Sequence, residues 1–424
     1  MNKNLICIIT LICLLLGGCS YGKDVDEQSF VIAVGIDKGE SFPLRVTFVF
    51  ANPSGSGSGG GGSEGGGESG GGGGSGGSDG GGESKSSSSG PDIVTIEAPT
   101  TFSAARKLDA IKSKKINLTH TKLVVFSTDV AKEGIKRYVN GFASSRDFRP
   151  NTYVCITSTS AQEYFNSVKP SQEKYLEKYY DHIMQKVASD KVNESYLYYL
   201  YFNLTDTYSS SIVPLVGLSK NKLTGPAQSL HPHSDDFSYE ARAGELLRDS
   251  SNKAEILGCG VFRNDKLITT LGSFQTDLAR LIGNEFYPKN YSIFYPEVSD
   301  FVTVRIIQQE KVNIKSEIKN DNAHITIDVP IFIEYVDAGE IENDSKKSRD
   351  FCNYLKMRLD ASTKKLIYDF QTMYDCDFLG LGDSLKKHFS NLSQWKNFNW
   401  EEKYSDAKIN VSFRVTYADF EETN

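Results

Sequence analysis

The sequence predicts an α+β protein of multi-domain build, about three mixed α/β domains with largely antiparallel sheets and flanking helices. Three observations predict it. Ile325, Ile327, Val329, Ile331, Ile333 and Tyr335 recur at every second position, the period of a strand with one face in and one face out. A long helix from about Ser348 to Tyr374 follows. A closing strand then sets Ile409, Val411, Phe413, Val415 and Tyr417 against Lys408, Asn410, Ser412, Arg414 and Thr416. Near the other end, strand and helix signals alternate from Phe30 to Thr157. At 424 residues the chain is long enough for two or three domains with cores of their own.

The first domain is expected at 19–168. Phe30 to Ile36 is a buried-strand run, and a turn begun by Lys38, Gly39 and Glu40 leads into a strand from Leu44 to Phe50, a hairpin. Phe102, Ala105, Leu108 and Ile111 recur every three residues, as on one face of an amphipathic helix. Lys122 to Phe126 is a strand. Ile135, Tyr138, Val139 and Phe142 follow the i, i+3, i+4, i+7 pattern of a helix face, and a strand follows at Thr152 to Thr157.

Within this domain, 54–90 contains only Gly, Ser, Glu, Asp and one Lys. Such a segment has no apolar surface whose burial would offset its ordering entropy, so it is expected to be a disordered loop between two strands. As a Gly-rich coil, about 37 residues span roughly 35 Å. Its matches to G-x-S-x-G and G-x-G-x-x-G are accidents of composition, because neither follows a strand or opens a helix.

The second domain, expected at 169–294, is less regular. Leu176, Tyr180, Ile183 and Val187 suggest a helix. Tyr196 to Leu204 is crowded with Tyr and Phe, as in a core or a domain contact. A hairpin turns at Asn264 and Asp265 between Glu255–Phe262 and Lys266–Leu271. A helix then carries Phe274, Leu278 and Leu281, with Ser273 as its N-cap and Gly283 at its C-terminal end. The third domain, 295–424, opens with a strand at Val302 to Val312 and holds the elements named first.

Composition narrows function. With 24% charged residues and a net charge of −7 the chain has no phosphate-binding excess of Lys and Arg, which speaks against nucleic acid. The segment 1–18 reads as a signal peptide: Lys3, an apolar run from Leu5 to Leu16, then Gly17 and Gly18. About 12 residues of helix reach only ~18 Å of a ~30 Å hydrocarbon layer. Leu16-Gly17-Gly18-Cys19 fits a bacterial lipobox, so Cys19 is the expected lipidation site, carrying S-diacylglycerol and an N-acyl chain. Two such groups suffice for stable anchoring, whereas one would be marginal.

No catalytic constellation emerges. None of the six His lies near a strained Ser or Cys turn. His231 and His233 with Asp235 or Asp236 form the best metal candidate, outweighed by a plain polar loop. Gly380-Leu381-Gly382-Asp383 lacks the Lys of a phosphate loop and reads equally as a helix start with Gly hinges. Of seven Cys, Cys7, Cys13 and Cys19 fall in or at the end of the signal. Cys155 and Cys259 read as buried, and a Cys352–Cys376 disulfide is a minor alternative to two free thiols. The expectation is no enzyme, no cofactor and no metal.

Taken in order, the segments resemble the Ger(x)C family, the lipoprotein subunit of nutrient germinant receptors in endospore-forming bacteria. The matching stretches are Ser29 to Lys38 and Val46 to Pro53; His120 to Phe126 and Arg149 to Val154; Gly260 to Leu267; and Tyr374 to Gly382, with Trp395, Trp400 and the final strand. Two departures are local: Ser20-Tyr21 follow Cys19 where relatives often carry Trp-Asp, and the Gly/Ser tract is not a family feature. The resemblance implies three α+β domains in an elongated body, and a non-enzymatic subunit on the outer face of the spore's inner membrane, held there by acyl chains on Cys19. Its implied partners are a receptor subunit with a large soluble portion and a multi-spanning, transporter-like one. The competing readings are a solute-binding lipoprotein serving a membrane transporter, which needs two similar lobes about a cleft, and a lipid-anchored hydrolase or metalloenzyme using His231 to Asp236.

Overall fold

The computed structural model describes residues 27–51, 92–170, 173, 175–189, 196–205, 210–219 and 241–418. Cys19 and the signal, the Gly/Ser tract and the segment from His231 to Asp236 lie outside the described residues.

Two sheets organise the rest. The first has nine strands: β1 (Gln28–Lys38), β2 (Leu44–Phe50), β3 (Ile93–Ala98), β4 (Lys115–Asn117), β5 (Leu123–Ser127), β6 (Tyr153–Thr157), β7 (Ser210–Leu218), β8 (Ala254–Arg263) and β9 (Lys266–Leu271). They lie in the order β3-β2-β1-β5-β6-β7-β8-β9, with β4 beside β1. The centre, β1-β5-β6-β7, is parallel, and both flanks are antiparallel. The sheet is therefore mixed. The apolar run of β1 explains why its centre can be parallel: Val31, Val34 and Ile36 face one core while Ile32 and Ala33 face another. On the first face lie α1 (Thr101–Leu108), α2 (Thr128–Glu133), α3 (Lys136–Ser144) and α6 (Leu197–Thr205), with α4 (Ala161–Ser167) and α5 (Leu176–Ser189) on the second.

Strands β7, β8 and β9 come from the stretch 169–294, so these three continue the sheet begun by the first 150 or so residues of the chain. Pro214 sits inside β7 at a register shift against β8, where a residue without an N–H is tolerated.

The second sheet contains β10 (Lys289–Tyr295), β11 (Asp300–Ile307), β12 (Asn313–Lys319), β13 (Asn322–Asp337) and β14 (Lys408–Tyr417). It is antiparallel except for β14, which runs parallel to β13 from His324↔Lys408 to Ile333↔Tyr417. Helix α7 (Ser273–Ile282) and the long α8 (Ser345–Asp369) bury their apolar faces in its core, α8 through Phe351, Leu355, Leu359 and Leu366. Asp344 caps α8, accepting from Lys346 N–H at 2.9 Å and Lys347 N–H at 3.0 Å. The helix also guards the free edge of β14: Asp360 Oδ1 accepts the outward Phe413 N–H at 2.7 Å.

The α+β class and the multi-domain build follow the sequence reading. Several details differ. The buried face of α1 is Thr101, Ala104 and Leu108, which shares only Leu108 with the expected stripe, and Phe102 and Ile111 stand exposed. Gly272, not Ser273, is the N-cap of α7, because Thr276 N–H already bonds Gly272 O at 3.0 Å. Strand β11 stops at Ile307, short of Val312. Cys352 and Cys376 are free, buried thiols, so the disulfide alternative does not hold.

Candidate functional site

An aspartate carboxylate with three hydrogen-bond donors lies where the two sheets meet. Helix α8 ends in a π-helical turn, Phe370–Tyr374, and Asp375 takes a left-handed φ of 46° that turns the chain back toward the first sheet. Two residues later Asp377 points its carboxylate inward. One oxygen accepts from Leu381 N–H at 3.0 Å; the other accepts from Gly382 N–H and from the Trp400 indole Nε1, both at 2.8 Å. Burial pushes the Asp377 carboxyl above its usual range, and the three donors pull part of the way back. Gly382 is required because a Cβ there would meet the Trp400 ring at 2.5 Å.

The reading of Gly380 to Asp383 as a phosphate turn is thereby resolved. Leu381–Ser384 is a 3₁₀ turn whose leading N–H groups are already held by the chain's own Asp377. The segment is the helix start with Gly hinges.

From the first sheet, Ser210 Oγ donates to Asp377 O at 2.8 Å and Arg263 Nη2 reaches Asp375 Oδ2 at 3.3 Å. Thr269 Oγ1 donates to Tyr374 Oη at 3.1 Å. Below these bonds the apolar core is continuous, since Cys259, Val261 and Leu271 pack into the cluster that α7 and α8 share. The joint is thus a packed seam with a polar rim.

A second feature lies within the first unit. A cavity of about 490 Å³ opens beside the carboxyl ends of β5 and β6, lined by Thr128, Ser158, Leu215, Leu267, Arg242 and Glu245 among others. Parallel strands characteristically present ligand sites at this end. Two of its charged residues bond within the chain: Arg242 Nε donates to Thr270 O at 3.3 Å, and Glu245 Oε2 accepts Arg242 N–H at 2.8 Å. Nearby, Asp37 at the end of β1 accepts from Ala161 and Gln162 N–H at 2.7 and 3.1 Å, capping α4. Gly35 lets that helix approach, for a Cβ would meet Ala161 Cβ at 2.8 Å. Among the described residues no group of His, Cys, Asp and Glu is gathered as a metal site.

A family model described as "Spore germination protein N-terminal domain" matches residues 22–218, and one described as "Spore germination B3/ GerAC like, C-terminal" matches 257–420. The chain belongs to the Ger(x)C family of spore germination proteins. The chain is 25% identical to spore germination protein A3 of Bacillus subtilis (strain 168) over 169 residues, 39% of this chain and 38% of that protein. It is 19% identical to the putative spore germination protein YfkR of the same organism, over 97% of this chain and 95% of that one. A crystal structure of the GerBC protein matches with a TM-score of 0.49 and 13% identity, covering 90% of this chain and 96% of that one.

In this Ger(x)C protein three of the stretches that carried the resemblance sit at structural nodes. Ser29 to Lys38 is the central strand β1 with Asp37 as the α4 cap; Gly260 to Leu267 turns between β8 and β9 and supplies Arg263; Tyr374 to Gly382 with Trp400 is the seam. Sequence reading did not single out Asp37, Ser210, Arg263 or Asp377 as bonding partners. A signal existed only for Asp377, which lies four and five residues before the N–H groups it accepts.

Proposed function

We propose that this protein is the lipid-anchored subunit of a nutrient germinant receptor, needed for spore germination and acting through protein–protein contacts rather than catalysis. Cys19, acylated at sulfur and nitrogen, holds the folded body at the outer face of the spore's inner membrane. Its partners there are a receptor subunit with a large soluble portion and a multi-spanning, transporter-like subunit. The observation that carries the reading is the pair of spore-germination family models matched in order over 22–218 and 257–420, behind a lipobox. No helix among the described residues is long and apolar enough to cross a membrane.

The solute-binding alternative has the cavity in its favour. That cavity, however, lies inside the first unit, and the mixed nine-stranded and mainly antiparallel five-stranded sheets are not two like lobes about a cleft. Spores carrying Cys19→Ala test the proposal. Their nutrient response should fall sharply and the protein should leave the membrane fraction, while a variant that germinates normally from the soluble fraction would refute it. A thermal-shift screen with amino acids and sugars tests the alternative: a saturable rise in Tm would favour it.

A further inference from the structure

The chain enters its fold beside a small exposed loop. Strand β1 begins with Gln28 paired to Lys115 and Ser29 paired to Ile116 of β4. The residues leading into β4, 111–115, therefore lie next to the point where the polypeptide arrives from Cys19. Between Cys19 and Glu27 the chain can reach at most about 30 Å. Whatever surface Cys19 is fixed to, the entry point of the fold beside this loop cannot lie farther from it than that reach.

The loop suits a lipid surface. Ile111 is 61% exposed, the highest value among the exposed Ile, Leu and Val residues other than Leu392. Lys114 and Lys115 are exposed beside it. Lys112 instead turns inward, pairing with Asp92 and lying 4.4 Å from the centroid of the Phe50 ring. The turn is further fixed by Ile111 N–H and Lys112 N–H, both bonded to Leu108 O at 2.9 Å. A stiff turn thus presents one apolar tip flanked by two cations, beside the exposed acids Asp109 and Glu27. With a net charge of −7 the chain has no general attraction to anionic lipid, so any such contact has to be local.

We propose that residues 111–115 form a membrane contact, with Ile111 entering the interface and Lys114 and Lys115 meeting anionic headgroups, so that the body is seated in one orientation on the leaflet that holds its anchor. This rests on the lipid-anchor reading above. A lysine near an anionic surface strengthens binding about fivefold, so reversing both should lower the docked-to-undocked ratio by roughly 25-fold or more.

The test couples the full mature chain through the Cys19 thiol to a maleimide lipid, so that docking is read independently of acylation in the cell. The other described cysteines are buried, as are Trp395 and Trp400. An indole introduced by I111W should be quenched by brominated lipid in phosphatidylglycerol vesicles, less so in phosphatidylcholine. The quenching should vanish with K114E/K115E, whose unchanged Tm would show that the fold is intact. Equal quenching with and without the charge reversal, or none in anionic vesicles, would overturn the proposal. So would a charge reversal that leaves quenching intact but abolishes co-purification with an acidic protein, which would make the loop a protein contact. Failure of native Cys19 acylation is read separately, from the mass of the spore-derived protein.

Discussion

Asp37 and Asp377 are one device used in two places. Each is a carboxylate withdrawn from water that holds the first N–H groups of a helical turn, and burial raises the pKa of each above 3.8 against the pull of its hydrogen bonds. Their surroundings differ. Asp37 joins β1 to α4 within the first unit and receives two N–H groups. Asp377 receives three, and its own carbonyl is bonded to Ser210 from the other sheet. The first fixes a helix on a sheet; the second fixes one unit on another. The same chemistry is local in one case and architectural in the other because of where the chain turns, at Asp375.

That difference can be broken by mutation. Asp377→Ala leaves two backbone N–H groups and an indole N–H without partners, at ~1–3 kcal/mol each, so a loss of about 4 kcal/mol in denaturant unfolding is expected. Amide exchange should quicken on both sides of the seam. Asp37→Ala should cost about 2–3 kcal/mol, with exchange confined to α4 and β1. Gly382→Ala forces Trp400 aside and should cost about 1–3 kcal/mol. Ser210→Ala, the mildest, removes one bond across the seam and should cost about 1 kcal/mol. If Asp37→Ala loosens the seam as much as Asp377→Ala does, the distinction between them fails.

Acidity sharpens the same comparison. A carboxyl with a raised folded pKa binds more protons folded than unfolded, so its contribution is full below 3.8 and is lost as pH rises through its folded value. Glu97 behaves oppositely: the Glu40 and Ser41 N–H groups and Arg45 lower it to about 2, so its contribution is present above 4.5 and is lost as pH falls from there through about 2. Asp377→Asn should therefore flatten the decline of stability above pH 3.8 in a pH series of melting curves. An unchanged slope would mean that Asp377 titrates alike folded and unfolded.

The fold was legible where one periodicity ruled a whole element. Strand β13 is the plainest case, for the alternation from Ile325 to Tyr335 is its buried face. Strand β7 escaped notice because Pro214 divides Ile212-Val213 from Leu215-Val216, and only the register shift against β8 makes that Pro acceptable. The membership of β7–β9 in the first sheet is a pairing over long sequence distance, which no local pattern encodes. The capping of α4 by Asp37 spans 124 residues and was invisible for the same reason. Phe102 and Ile111 fitted a helical stripe, yet α1 ends at Leu108 and its buried face is set by Ala104 and Leu108 against the sheet. Ile111 then falls in the exposed turn beyond it.

The claim that this is an anchored receptor subunit is tested most directly by native mass spectrometry of the protein taken from spore membranes in detergent. The account expects an amino-terminal Cys19 carrying diacylglycerol and an acyl chain, in an assembly that releases a multi-spanning subunit on activation. A lone chain with an unmodified amino terminus would contradict it.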